Sequence, residues 1–280
     1  MLFRYGILSR TARRFTAIAM VQMPLMRRRL HPFAPSMSFR TTTRSPSGAW
    51  KMQRKSLIVW EGPSSFNGEP IQVILTSITR KSVNPKTGKM VQAYILPVNE
   101  KPNRQRSICG YCPIKEACYV TWYQDPRSTW ASKNKERIPY WVAADIIAGR
   151  MLRIGAAGDP AMVPLHVWGI LTSRVKGWTG YTHQWRTCDE GFARYVMASV
   201  ESSTERLLAK AKGYRTFRIR ASIDSRKEFF EFVCPASTEG GHRSTCEKCG
   251  LCAGTSSKAN DVVIIAHGRS ANRLLPILGG

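Results

Sequence analysis

The sequence predicts an α/β protein: a full or partial (β/α) barrel-like fold carrying two cysteine-rich metal-binding insertions. Three observations lead there. Short β-rich runs recur along the body, several of them separated by stretches of helical spacing, which is the alternation that parallel strands with crossover helices produce. The runs finish in polar or reactive residues: Asp159, His183, Glu201, Arg220, Cys234 and His267. In a parallel barrel the carboxyl ends of the strands form one mouth, so such endings describe a site. Third, seven of the eight cysteines fall in two tight groups. An open doubly wound sheet also binds ligands at strand carboxyl ends and is the alternative fold. The glycines of RIGAAGDP are too few and too poorly placed for a dinucleotide fingerprint.

The elements follow in order. Residues 1–51 hold ten basic residues and no acid, and are rich in Arg, Ser and Thr. That composition suits a mitochondrial transit peptide, a disordered extension or a start codon assigned too early, since Met20, Met23, Met26, Met37 and Met52 lie in it or at its end. The patterned sequence begins at Met52 with QRKSLIVWEG. Residues 52–105 contain two β-rich runs, IQVILTSITR and MVQAYILPVN, joined by the turn NPKTGK, which predicts a hairpin. Residues 106–280 form the cysteine-rich barrel-like domain. RIPYWVAADIIAGR has helical character, and RMLRIGAAGDP is an apolar run ending in Gly and Asp. VPLHVWGILTSRVK is helical, GWTGYTHQW and RYVMASVES are strand-like, and STERLLAKAKG is helical. YRTFRIRAS, EFFEFVCPAS and DVVIIAHGRS complete the strands. No run reaches eighteen consecutive apolar residues, so no membrane span is predicted.

The first cysteine group is Cys109-x2-Cys112-x5-Cys118, and the second is Cys234 followed by Cys246-x2-Cys249-x2-Cys252. Two residues between cysteines let both thiolates face one point from a single turn. Three cysteines cannot all pair among themselves, and a chain of 280 residues has enough apolar content to fold without disulfide staples. Metal or cluster ligation is therefore expected at both, the alternative being loops that are merely stapled. C-x2-C-x2-C with a distant Cys-Pro is close to ferredoxin spacing, whereas zinc more often uses separated C-x2-C pairs; iron–sulfur is expected, with zinc as the alternative. His242 could replace one thiolate in the second group but reads as a loop residue. Cys188 stands alone and reads as a buried free thiol, or as a fourth ligand of the first group.

The formal charge is +25, and outside residues 1–51 the chain carries 33 basic against 18 acidic residues. A polyanionic partner, nucleic acid or nucleotide, is the class this favours, against a merely solvated basic surface. Asp159 could bind a metal or a ribose at the strand mouth, or cap the helix that follows. His183 and His267 are candidate acid–base groups, or hydrogen-bonded core histidines. Trp122, Tyr123, Trp130, Tyr140 and Trp141 lie among Lys and Arg, which suits base stacking and equally suits ordinary packing.

Cys118-Tyr119, RIGAAGD at 153–159, Cys234-Pro235-Ala236 with Cys246, Cys249 and Cys252, and His267-Gly268 occur in an order similar to that of the gene-product-88-like group of cysteine-rich bacteriophage proteins. The resemblance covers roughly residues 105–270. That group resembles radical-SAM barrels distantly. The likeness implies that Cys109, Cys112 and Cys118 hold a cluster with one open iron, and S-adenosylmethionine as a further cofactor. The usual radical-SAM spacing is C-x3-C-x2-C, and C-x2-C-x5-C is nearer that of auxiliary clusters in such enzymes. The expected function is a metal–sulfur protein, a diverged radical-SAM-like enzyme acting on nucleic acid or a nucleotide; the alternative is a non-catalytic, zinc-stabilised nucleic-acid-binding protein. The expected location is the cytoplasm of a bacterial host, or a mitochondrion if residues 1–51 are a transit peptide.

Overall fold

The β-rich runs become strands of one sheet in the computed structural model, which describes residues 56–79, 85–222, 228–241, 243–267 and 271–278. The chain divides into two units, Met1–Trp50 and Lys51–Gly280, and every described residue belongs to the second. The expectations for residues 1–51, His242 and Gly268 lie outside the described residues.

In chain order the elements are β1 (Ser56–Pro63), β2 (Pro70–Thr76), β3 (Val91–Pro97), α1 (Arg106–Cys109), α2 (Asp125–Ala131), β4 (Lys135–Arg137), α3 (Tyr140–Ile146), β5 (Met151–Ala157), α4 (Leu165–Thr172), β6 (Gly177–Thr182), β7 (Met197–Val200), α5 (Ser203–Ala211), β8 (Thr216–Arg220), β9 (Glu231–Val233), α6 (Cys246–Cys249), β10 (Asp261–Ile265) and α7 (Ala271–Leu278). The strand order is β4-β1-β2-β3-β5-β6-β7-β8-β10-β9. β1, β2 and β3 are antiparallel neighbours, and every pairing from β3 to β9 is parallel. The fold is thus α/β with a mostly parallel ten-stranded sheet. The order has two ends, β4 and β9, so a closed full barrel is not formed by the described strands, against that part of the expectation. The insertion of β10 between β8 and β9 breaks the sequential order a barrel needs.

β2 and β3 are almost wholly buried, which is why their sequences are near-continuous apolar runs. Gln72 is the buried polar residue of β2, and its amide donates to the Pro97 carbonyl at 3.1 Å. α5 starts on a cap: Ser202 Oγ accepts from Glu205 N at 3.1 Å, the Ser-x-x-Glu start signal. No helix among the described residues is long and apolar enough to cross a membrane.

The amino ends of the last strands are tied by buried charge. Asp261, which opens β10, meets Arg206 at 2.9 Å and Lys210 at 3.2 Å, and accepts from Thr216 N at 3.0 Å. Glu231, which opens β9, takes both Nε (2.8 Å) and a terminal nitrogen (2.6 Å) of Arg218. Arg206 comes from α5, so one network joins the helix to β8, β9 and β10.

Residues 234–260 leave the carboxyl end of β9 and cross the sheet before entering β10. Backbone bonds hold this strap on the far side: Gly180 N of β6 donates to Cys252 O at 3.0 Å, and Cys246 N donates to Lys86 O at 2.9 Å in the connection between β2 and β3. Lys89 N donates to the Glu247 carboxylate at 2.7 Å, and Arg215 donates to the carbonyls of Leu251, Gly254 and Asn260. The strap spans from the β9 edge to the β2–β3 connection, over the strands between.

Candidate metal centres at the carboxyl edge of the sheet

Beneath the strap lies a cavity of about 300 Å³. Strand alternation sets its floor: Thr179 and Tyr181 of β6, Phe217 and Ile219 of β8, and Phe232 and Cys234 at the end of β9 all face it. Cys246, Cys249 and Cys252 of the strap line the opposite wall, so all four cysteines of the second group meet one space. Cys234 and Cys252 are buried. Burial pushes the Cys252 thiol up to about 12, its hydrogen bond from Tyr181 works the other way, and the neighbouring thiols of Cys234, Cys246 and Cys249 raise it further. Burial likewise raises Cys246, against which the guanidinium of Arg153 acts. Arg153 lines the cavity and donates to the Tyr119 hydroxyl at 3.2 Å.

The first group runs from Cys109, the last residue of α1, into the loop that follows, beside the same cavity. Ile114 and Tyr119 of that loop are in the cavity wall, and Cys112 packs against the small cluster of Ile114, Ala117 and Leu274. The loop is pinned to the end of β6 by one side chain. Gln184 accepts from Tyr111 N at 3.1 Å and donates to the carbonyls of Cys109 (3.1 Å) and Tyr111 (2.8 Å). This close approach requires Gly110: its φ is +58°, and a Cβ there would stand 2.5 Å from the Gln184 amide. Burial raises the Cys109 thiol, and Cys112, Cys118 and Asp159 raise it further. Cys118 is also raised, by burial first.

His183 and Asp159 meet next to this group. Asp159 Oδ1 accepts from Ala161 N at 3.0 Å and from Thr182 Oγ1 at 2.7 Å, and Oδ2 accepts from His183 N at 2.9 Å. Asp159 therefore caps the short turn at Pro160–Met162 and also braces the end of β6. Burial pushes its carboxyl up against those three donors. The His183 ring has Glu201 Oε1 2.9 Å from Nε2 and Cys112 Sγ 3.7 Å from Nδ1. Burial disfavours its charged form, but Cys112 and Glu201 outweigh that and hold the imidazole well above its usual range.

His267 is elsewhere: it sits at the cavity mouth, where its Nδ1 donates to Ile265 O at 2.7 Å, while Asp159 and His183 do not line the cavity. The strand-end residues thus form two adjoining clusters rather than one. Cys188 contacts the Tyr214 hydroxyl at 3.3 Å and packs on the main core. Of the aromatics, Trp122 is buried and Trp130 and Tyr140 pack on the core, whereas Tyr123 and Trp141 are exposed. Tyr111 and Tyr119, on the first cysteine loop, are exposed too, with Arg106 5.0 Å from the Tyr111 ring centre.

Sequence reasoning missed Gln184, Arg153 and Tyr181. Alternation along GWTGYTH places Tyr181 and His183 on one face and could have found the tyrosine. Nothing local marks Gln184, whose partners lie more than seventy residues away.

The donor chemistry of both cysteine groups fits a soft metal or an iron–sulfur cluster. As the side chains stand, no group of three or more His, Cys, Asp or Glu among the described residues is gathered closely enough to hold an ion. Ligation at either group requires the thiol side chains to move toward one another. No family model, curated protein or solved structure matches the chain.

Proposed function

We propose that this chain is a metal–sulfur protein, in which Cys234, Cys246, Cys249 and Cys252 hold an iron–sulfur cluster in the wall of a cavity that receives a nucleotide or the end of a nucleic-acid strand. The observation that carries this is the convergence of four cysteines, from a strand end and from a separate strap, on one space. Apolar packing alone does not ask for four thiols there, and neighbouring thiols raise the pKa of Cys246, Cys249 and Cys252, a repulsion that a bound cation reverses. A cluster at this place would supply electron transfer or an iron for substrate to bind.

The chain's own residues account for recognition. Arg153 and Lys86 place positive charge in the cavity wall. Tyr111, Tyr119 and Tyr123 offer exposed rings for stacking near the first cysteine loop, and the charge of the body favours a polyanion. His267 at the mouth is the acid–base candidate nearest the cavity. On this reading the sheet works as a partial barrel whose open side is covered by the strap. The likeness to the gene-product-88-like phage group and to radical-SAM barrels belongs to this proposal and rests on the sequence motifs alone.

One observation favours a second reading. The strap is held by backbone bonds to β6 and to the β2–β3 connection, so the second group could be a zinc staple in a non-catalytic nucleic-acid-binding protein. Anaerobic purification of Cys249→Ser beside the parent chain separates the two. The proposal expects a brown parent that loses iron, sulfide and visible absorbance on substitution. A colourless parent that loses zinc instead supports the staple, and full metal retention removes Cys249 from the ligands.

A further inference from the structure

The His183 ring is fixed from both sides. Its Nε2 is 2.9 Å from Glu201 Oε1, and the Glu201 side chain is only 5% exposed. A carboxylate oxygen accepts, so Nε2 carries a proton toward Glu201, and Nδ1 faces Cys112 Sγ at 3.7 Å, where it can ligate a metal once its own proton is displaced. Zinc stands about 2.3 Å from sulfur and about 2.0–2.1 Å from nitrogen, so two such ligands on one tetrahedral ion are about 3.5 Å apart. The observed separation is close to that. A metal-bound histidine commonly passes its other N–H to a carboxylate, and Glu201 occupies that place.

The rest of the group points the same way. Cys109, Cys112 and Cys118 fall within ten residues of one another, and the Cys109–Tyr111 turn is clamped by the Gln184 amide, the residue after His183. Trp122, four residues after Cys118, is buried with an indole N–H that makes no hydrogen bond of good geometry.

We propose that Cys109, Cys112, Cys118 and His183 together hold one tetrahedral metal ion of the zinc class, with Glu201 as the positioning residue that orients the imidazole. This rests on the reading that the first cysteine group is a metal centre and adds its fourth ligand. A closed set of three sulfurs and one nitrogen leaves no open position, so this centre is structural: it locks the first cysteine loop onto the end of β6 beside the cavity. Substrate chemistry then belongs to the second group.

The test is zinc content of the full chain after zinc loading and desalting, in the parent and in Cys112→Ser, His183→Ala, His183→Cys and Glu201→Gln. Folding of each variant is followed by circular dichroism. Cys112→Ser and His183→Ala should each lose about one zinc ion per chain, while His183→Cys, which restores a soft ligand, keeps it. Glu201→Gln should retain the ion but bind it about 10–100-fold more weakly in a chelator competition. If His183→Ala does not fold, His183→Cys decides, and loss of zinc there overturns the assignment. Zinc lost in Cys112→Ser but kept in folded His183→Ala leaves the centre standing and removes His183 from it. If neither variant changes zinc, and iodoacetamide alkylates Cys112 in the loaded parent, the first group is not a metal centre.

Discussion

The two ends of the parallel strands handle buried polar groups in opposite ways. At the amino ends, Glu231 and Asp261 are each matched with cations: Arg218 and Arg206 on one, Arg206 and Lys210 on the other. The net effect on Glu231 is a lowered pKa, since Arg218, the Glu228 amide and Arg206 together exceed the cost of burial. At the carboxyl ends, thiols face thiols, and burial with repulsion from neighbouring thiols raises Cys109 and Cys252. At the first end the buried charges are matched within the protein, which serves stability. The second gathers soft ligands whose repulsion a positive ion would relieve.

Variants that separate the ends sharpen this contrast. The largest effect belongs to Arg218→Met, which leaves the Glu231 carboxylate with part of its charge unmatched in the interior. It should cost about 3–5 kcal/mol in denaturant unfolding while leaving metal content unchanged. A parallel loss of metal would show that the ends are coupled. Next comes Gly110→Ala. The left-handed backbone and the approach of Gln184 should together cost about 1–3 kcal/mol, and here metal at the first group should fall, because the clamp on the Cys109–Tyr111 turn is pushed away. Unchanged metal in that variant would mean the clamp does not position the cysteines.

The acid response is smaller. Because the folded pKa of Glu231 lies below its unfolded value of about 4.3, its contribution is present above that value and is lost as pH falls through the folded pKa. Melting temperature should thus hold from neutrality to about pH 5 and decline below about pH 4, with a shallower decline in Arg218→Met than in the parent. An equal decline in both would place the acid sensitivity elsewhere. The smallest effect is Tyr123→Ala, an exposed ring: stability should move by less than about 0.5 kcal/mol, while affinity for single-stranded DNA at low salt drops. Unchanged affinity would remove Tyr123 from the proposed stacking surface.

Local pattern made much of this architecture legible. IQVILT and VQAYILP read as a hairpin and pair antiparallel as β2 and β3. The runs at 151–157, 177–182, 197–200, 216–220 and 261–265 are parallel strands, because β-branched and apolar residues recur between helical spacers. Strand order was not legible. That β10 pairs with β8 on one side and β9 on the other depends on contacts across the sheet, to which periodicity is blind. The cysteine spacing pointed to two groups, but the meeting of Cys112 with His183 spans 71 residues and depends on the Gln184 clamp. His183 and His267 looked alike as strand-end histidines. They differ because one sits against a buried glutamate and a thiol, and the other at the mouth of the cavity.

The central claim is that the carboxyl edge carries two metal centres of different kind. The most direct measurement is iron, acid-labile sulfide and zinc per chain, with an ultraviolet–visible spectrum, on the full chain purified without oxygen. The account predicts iron and sulfide in comparable amounts with a broad visible band, and about one zinc ion per chain besides. A colourless protein free of iron and zinc, in which all eight cysteines react as free thiols once unfolded without reductant, would contradict it.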